Sequence, residues 1–355
     1  MKIPKAIRRL GRPIKRLVKS AGRPAPSAAR PKSDVRLAVL TDNWFVADRD
    51  DSAYPESRGA FNRPPRYLLN KLIMAPAFPF ETDVFPIESF TRADEARRLE
   101  KYTCVIVHIC KSVRPGLADA ILEKLPPGIR IMNLQVRDVR KRQMGEIIGR
   151  SGFPVPEVGR NSDPDTPVFI KSNWNSGDAP EKVYRQCRLG EVPDEVWENP
   201  DLTVQRFFEE RVTSISQYRR MRRFVIVAGE ILQQEFLGTE PKIKTHTSPC
   251  IRYSRDIRCM PRDLEVTGRQ NTSLPSFHYY DTDEKTRRIS QRVQKFASDI
   301  GLDIGAIDTI TPADGATYII DVNPTPYQRN LPEAMRDIFA DALVKQIEES
   351  RQGGQ

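Results

Sequence analysis

The chain reads as an α/β protein in which a parallel strand–helix layer gives way to antiparallel hairpins. Short apolar runs at 35–40, 104–110 and 128–134 alternate with helical patterns such as 117–125, the signature of parallel strands joined by helices. Two turn signals, Ala228-Gly229-Glu230 and Asp314-Gly315, sit between apolar runs and mark hairpins in the second half. A long amphipathic segment with Ile289, Val293, Phe296 and Ile300 on one face leads into the second of them. At 355 residues the chain has room for two or three domains and a large core.

The net charge of +10 belongs to one end. Residues 1–32 hold eleven Lys and Arg and no acid, leaving 46 basic against 47 acidic residues in the remainder. The body is neutral, so its charge gives no footing for nucleic acid. In the arm, Ile3, Ile7, Leu10, Ile14, Leu17 and Val18 recur at helical spacing among Lys and Arg, a pattern attracted to anionic lipid. Gly11 and Pro13 interrupt it, and a basic arm that touches nothing specific is the competing reading. A Pro/Ala linker follows at 22–31. The five cysteines are odd in number and scattered, which points to a reducing compartment; His246, Cys250 and Cys259 fit no zinc spacing. The expected location is the cytoplasm, with the arm reaching the inner membrane surface.

The body opens with the buried-strand run 35–40, which ends at Thr41-Asp42. Residues 46–68, rich in Arg, Asp and Pro, read as a surface excursion. From Lys141 a short helix with Met144, Ile147 and Ile148 on one face ends near Gly152, and Pro154 and Pro156 follow. The run 168–170 is a strand that delivers Lys171 into the polar turn 172–178. A further strand, 202–208, ends at Glu209-Glu210, and 224–227 pairs with 231–236 about Gly229. Residues 237–280 give no assignable pattern. A capping box at 281–284 starts the next helix and Gly301 closes it. The last amphipathic helix shows Met335, Ile338, Phe339, Ala342 and Leu343.

The hairpin at 305–326 is the most informative segment. A type I′ turn at Asp314-Gly315 pairs Ala313 with Ala316 and brings Asp308 opposite Asp321 on one face. Asn323 lies two residues further along that face, held extended by Pro324. Facing carboxylates repel, and a hard divalent cation shared with substrate phosphates removes the conflict. The hairpin therefore reads as a Mg²⁺–nucleotide clamp, against the alternative of a solvated turn whose acids never meet. Ile307, Ile310, Ile319, Ile320 and Val322 argue against free solvation, and Pro312 is the place where the register would slip.

Taken in order, Lys141, Lys171, Gln205, an arginine before Gly229 and the acid–acid–amide hairpin resemble the ATP-grasp superfamily over about residues 130–330. That superfamily includes D-alanine–D-alanine ligases, glutathione synthetases and the glutamate ligases that modify a ribosomal protein. The resemblance implies an ATP-grasp fold behind an N-terminal α/β domain. The implied boundaries are 1–33 for arm and linker, 34–135 for the N-terminal domain, 136–208 for one ATP-grasp subdomain and 209–350 for the other. It implies that Lys141 and Lys171 hold nucleotide phosphates and that Gln205 reads the adenine amino group. The backbone at Phe208 completes that contact, with Glu209 or Glu210 near the ribose. Arg223 is implied to face the transferred phosphoryl group, with Arg222 competing for that role. Asp308, Asp321 and Asn323 are the implied ligands of Mg²⁺ or Mn²⁺.

The chain departs from the family in three places. The loop after Lys171 has one glycine, Gly177, where several are usual; Asp321 replaces a common Glu; and Ala306 stands where many relatives carry an Arg. The implied activity joins a carboxylate to an amine or thiol at the expense of ATP, through an acyl phosphate. Its partners are small-molecule or peptide substrates. A small-molecule phosphotransferase on the same scaffold and a non-catalytic nucleotide-binding protein are the alternatives.

Overall fold

A computed structural model of the chain describes residues 34–42, 67–75, 78–90, 92–114, 117, 119–175, 180, 184–212, 215–238, 250–254, 276–279, 284–326, 328, 331 and 333–353. The arm, the linker, most of the 46–68 excursion, Gly177, the first residues of the 281–284 capping box and most of 237–280 lie outside these residues. So do His246 and Cys259.

Fourteen described strands form three sheets. The first has the order β2-β1-β3-β4, from Glu81–Pro86, Arg36–Thr41, Cys104–His108 and Arg130–Met132, all parallel. This is the parallel layer expected from the apolar runs. Helices α1 (Leu68–Ile73) and α2 (Asp119–Leu122) accompany it; α2 is shorter than the 117–125 pattern suggests.

A second, antiparallel sheet has the order β6-β5-β7, from Tyr184–Arg188, Pro167–Ser172 and Leu202–Arg206. Its own small core contains Val168, Ile170, Leu189 and Val204. Helix α3 (Lys141–Arg150) precedes it and α4 (Asp194–Glu198) leads into β7.

The third sheet runs β12-β11-β10-β9-β13-β14, with β8 (Arg211–Val212) beside β9. Its strands are Ser276–Tyr279, Cys250–Ser254, Glu230–Gly238, Ile215–Val227, Ile304–Ile310 and Tyr318–Asn323. The hairpin about Gly229 forms with a turn one residue shorter than the Ala228-Gly229-Glu230 signal: Val227 faces Glu230, and Ala228 and Gly229 have positive φ, 51° and 83°.

Side-chain alternation puts this sheet between two cores. Met221, Val225, Val227 and Ile304 pack with the first sheet and with α6 (Glu333–Gly353), through Met335, Phe339 and Leu343. Phe224, Ile226, Ile307 and Val322 pack with Met144 and Ile148 of α3 and with Ile289, Val293 and Phe296 of α5 (Glu284–Asp299). Helix α5 ends as its glycine indicates: Gly301 has φ 69°, and the Leu302 N–H returns to the Ala297 carbonyl at 2.8 Å.

Asn133 ties the first sheet to the third. Buried and at φ 58°, it donates to the Ile304 carbonyl at 2.8 Å. Its Oδ1 accepts from the backbones of Asp303 and Ile304, and Asp303 returns a carboxylate bond to the Asn133 N–H at 2.7 Å. Asn tolerates this left-handed conformation because its short amide bonds locally. The start of β13, and with it the Asp308 backbone, is therefore fixed against the N-terminal sheet.

Candidate active site

The two acids of the hairpin meet as expected. Asp308 pairs with Asp321, and Ala306 with Asn323, across β13 and β14. The turn itself differs. The strands end at Ile310 and Tyr318, and the register shifts by one just after Asp308, so that Thr309 faces Ile319. Of the turn residues only Gly315 has positive φ; its N–H bonds to the Pro312 carbonyl at 3.0 Å. A type I′ turn is excluded because Asp314 stays at negative φ and turns its carboxylate to the Ala316 N–H. Pro312 cannot donate to a ladder, so the loop widens and a bulge absorbs the extra residue before the acid pair.

Asp308 also has a neighbour on its other side. Strand β9 places Arg223 opposite it, and the guanidinium meets the carboxylate through two bonds, Nε–Oδ1 at 2.7 Å and Nη2–Oδ2 at 2.8 Å. Both side chains are buried. Burial alone would lower the Arg223 pKa, but the facing charge of Asp308 turns the net shift upward, so the arginine stays charged. The acid pair is thus not without a partner in the absence of metal, as repulsion between two carboxylates suggests it would be. Arg222 points away: it bonds the buried Glu210 at 2.6 Å, and Glu210 also holds Arg220 and the Thr311 N–H. Of the two competing arginines, Arg223 alone stands beside the acid pair.

Asp321 is held differently. Lys141 Nζ lies 3.4 Å from its Oδ1, yet that oxygen is buried with no hydrogen-bond donor. Asn323 turns its Oδ1 to the Thr325 N–H at 2.9 Å, fixing the bend into the Pro324–Pro326 segment. Two carboxylates and an amide oxygen on one edge, one carboxylate oxygen lacking a donor, form a hard-oxygen set that fits Mg²⁺ sharing its shell with phosphates. Among the described residues no three His, Cys, Asp or Glu side chains converge to hold a metal by themselves.

Both lysines reach the hairpin, Lys141 from helix α3 and Lys171 from the β5–β7 sheet. Lys171, near the end of β5, donates to the Ile320 carbonyl at 3.2 Å. Lys141, in the first turn of α3, donates to the Trp174 carbonyl at 3.1 Å. The loop after β5 positions that turn: Asn173 accepts the Arg142 N–H on its Oδ1 and the Lys141 N–H on its carbonyl, both at 2.9 Å. It caps a helix whose preceding residue, Arg140, offers no capping side chain. Lys141, Met144, Glu157, Gln205, Ile320 and Asp321 line one narrow cleft between β7 and β14.

Gln205 sits in β7 and is buried, and its Nε2 donates to Glu157 Oε1 at 2.6 Å. Phe208 lies beyond the end of β7, its ring stacked on Tyr318 at 3.9 Å between centroids. Glu209 is ion-paired with Arg219. Glu157 is a cleft residue that the sequence reading passed over. It follows the Pro154–Pro156 turn, and pairing of that segment with β7 at Gln205 brings it into the site.

Similarity of structure supplies the frame for this geometry. No family model matches the chain, and no curated protein matches it by sequence. Solved structures do. The ATP-grasp ligase PsnB in complex with precursor peptide PsnA2 and AMPPNP is similar at a TM-score of 0.50 and 12% identity, over 90% of this chain and 99% of that one. PsnB with minimal precursor, Mg and ADP matches equally, at 0.50 and 12% over 90% and 99%. The D-cycloserine synthetase DcsG is similar at 0.47 and 14%, over 88% and 99%. The chain has the ATP-grasp fold, with an α/β domain in front.

Proposed function

We propose that the protein is an ATP- and Mg²⁺-dependent ligase that joins a carboxylate to an amine through an acyl phosphate. The observation that carries this reading is the convergence of Lys141, Gln205 and Asp321 on one cleft, with Lys171 and the Arg223–Asp308 pair at its hairpin wall. A side-chain amide, two lysines and hard carboxylate oxygens gathered about one cleft are the groups a nucleoside triphosphate would use.

In this reading Lys141 and Lys171 each meet phosphate oxygens, exchanging their present backbone carbonyl partners for anions. Asp308, Asp321 and Asn323 would hold Mg²⁺, which supplies charge neutralisation at the phosphates when bound. Arg223 uses two of its five N–H groups on Asp308 and retains the others for the transferred phosphoryl group. It stands on the strand next to Ala306, and so supplies from β9 the cation that position 306 lacks. An acyl phosphate then presents a good leaving group to the amine, and the same cations stabilise the tetrahedral oxyanion. No Cys or His nucleophile takes part.

We read the substrates as small-molecule or peptide carboxylates and amines. PsnB, whose solved structures hold a precursor peptide, motivates including peptides. The test is ADP release by the purified chain with Mg²⁺ and ATP, screened against amino-acid and peptide pools with hydroxylamine present. Hydroxamate formation that depends on a carboxylate substrate supports the ligase. ADP release with a phosphorylated hydroxyl product and no hydroxamate would assign a phosphotransferase instead.

A further inference from the structure

We propose that Glu157 selects the nucleotide base: together with Gln205 it forms a pair of acceptors for an exocyclic amino group, so that the cleft takes a 6-aminopurine and rejects a 6-oxopurine. This rests on the nucleotide-binding reading of the cleft and extends it to a residue with no role there so far.

The segment after Pro156 runs against β7. Arg206 N–H bonds the Pro156 carbonyl at 2.8 Å, Val158 N–H bonds the Val204 carbonyl at 3.3 Å, and Glu157 bridges Gln205 between them. Those backbone bonds hold the two side chains side by side. A carboxylate has no donor, so the amide must present Nε2 to Glu157 Oε1, and Gln205 Oε1 is turned away from it. Glu157 fixes the amide and leaves the carbonyl oxygen as the group that Gln205 offers elsewhere.

Glu157 Oε2 is buried with no hydrogen-bond partner. An unpaired carboxylate oxygen in a cleft wall requires a donor, and a 6-amino group has two N–H bonds, one for Glu157 Oε2 and one for Gln205 Oε1. A 6-oxo group places lone pairs against the same oxygens. Burial pushes the Glu157 carboxyl above its ordinary value, the cost that a donor in this position would relieve. The helix opposite leaves room for this oxygen: a Cβ added to Gly145 of α3 would stand 2.8 Å from Glu157 Oε2.

Titration calorimetry of the full chain with ADP and IDP, each with Mg²⁺, tests the assignment. The wild type is expected to bind ADP at least about tenfold more tightly than IDP, the worth of one unsatisfied polar contact. Glu157→Gln keeps the shape and the Gln205 contact but turns an N–H toward the base, so the ADP/IDP ratio should fall by at least about tenfold. Gly145→Ala, which displaces Oε2 without removing it, should lower the ratio in the same direction. If Glu157→Gln weakens ADP and IDP equally, or leaves the ratio unchanged, Glu157 only shapes the β7 edge and the inference is overturned. If the wild type binds neither nucleotide, the ligase reading falls as well.

Discussion

Arg223 and Asp308 meet side-on through two parallel hydrogen bonds at 2.7 and 2.8 Å, buried between the third sheet and its neighbours. Strand register alone brings them together, since Arg223 lies directly opposite Asp308 on β9. Asp321, on the far side of Asp308, has an oxygen with no donor. The two acids of one hairpin therefore play unequal parts in stability. Asp308→Asn strands a buried guanidinium, and should lower unfolding free energy by about 3–5 kcal/mol. Asp321→Asn loses only a long ion pair with Lys141 and should cost no more than about 1 kcal/mol. Urea denaturation of the two variants checks this, and equal losses would contradict the assignment.

Lys171→Met should separate ligand binding from folding. Its Nζ bond to the Ile320 carbonyl contributes about 1 kcal/mol, a modest drop in the unfolding midpoint. The apparent constant for ATP should rise at least about tenfold, because a charged contact to phosphate is worth about 1.5–3 kcal/mol. Steady-state ADP release across ATP concentrations measures it. Normal ATP kinetics would show the lysine to be a strut between the sheets and nothing more.

His108 at the end of β3 gives the fold an acid limit. It is fully buried against the edge of Tyr67, and burial pushes its pKa down to about 3, with Arg114 adding repulsion. The unfolded chain takes up a proton near pH 6.5 and the folded one does not, so this part of the stability is complete above 6.5. It drains away as pH falls toward 3, at about 1.4 kcal/mol per unit. His108→Gln should flatten the midpoint-against-pH curve over that window. A curve as steep as the wild type's would place the acid sensitivity in other groups.

The basic arm should serve location. No candidate site residue lies in 1–32, and those residues carry all the excess positive charge. Removing them should leave ADP release unchanged and abolish salt-sensitive co-sedimentation with anionic vesicles, an attraction of about 1 kcal/mol per basic residue near the surface. Equal vesicle binding by the full and truncated chains would exclude the membrane role.

Much of the site was legible in the sequence because its signals are local. Asp308, Asp321 and Asn323 follow from a turn dipeptide and a period of two. That pairing survives although the turn is wider, because the bulge falls between the turn and the acids. Lys141 and Lys171 stood out only through the order of residues that resembles the ATP-grasp superfamily, and the fold brings both to the hairpin. What was not legible depends on contacts between distant segments. The choice of Arg223 over Arg222 needs the β9–β13 register, which no spacing in the chain reveals. Glu157 reads as part of a proline-rich turn until the fold lays that turn along β7, 48 residues further on. Asn173, inside the polar turn after Lys171, acts on the start of α3.

The most direct measurement is titration calorimetry of a non-hydrolysable ATP analogue into the full chain, with and without Mg²⁺, for wild type and Asp321→Asn. The donor-free oxygen of Asp321 beside Lys141 in the cleft requires that the wild type bind the analogue and that Mg²⁺ tighten binding. The variant, still folded, should lose that Mg²⁺ dependence. Binding that is indifferent to Mg²⁺, or identical in the variant, would contradict the nucleotide–metal site on which the ligase assignment stands.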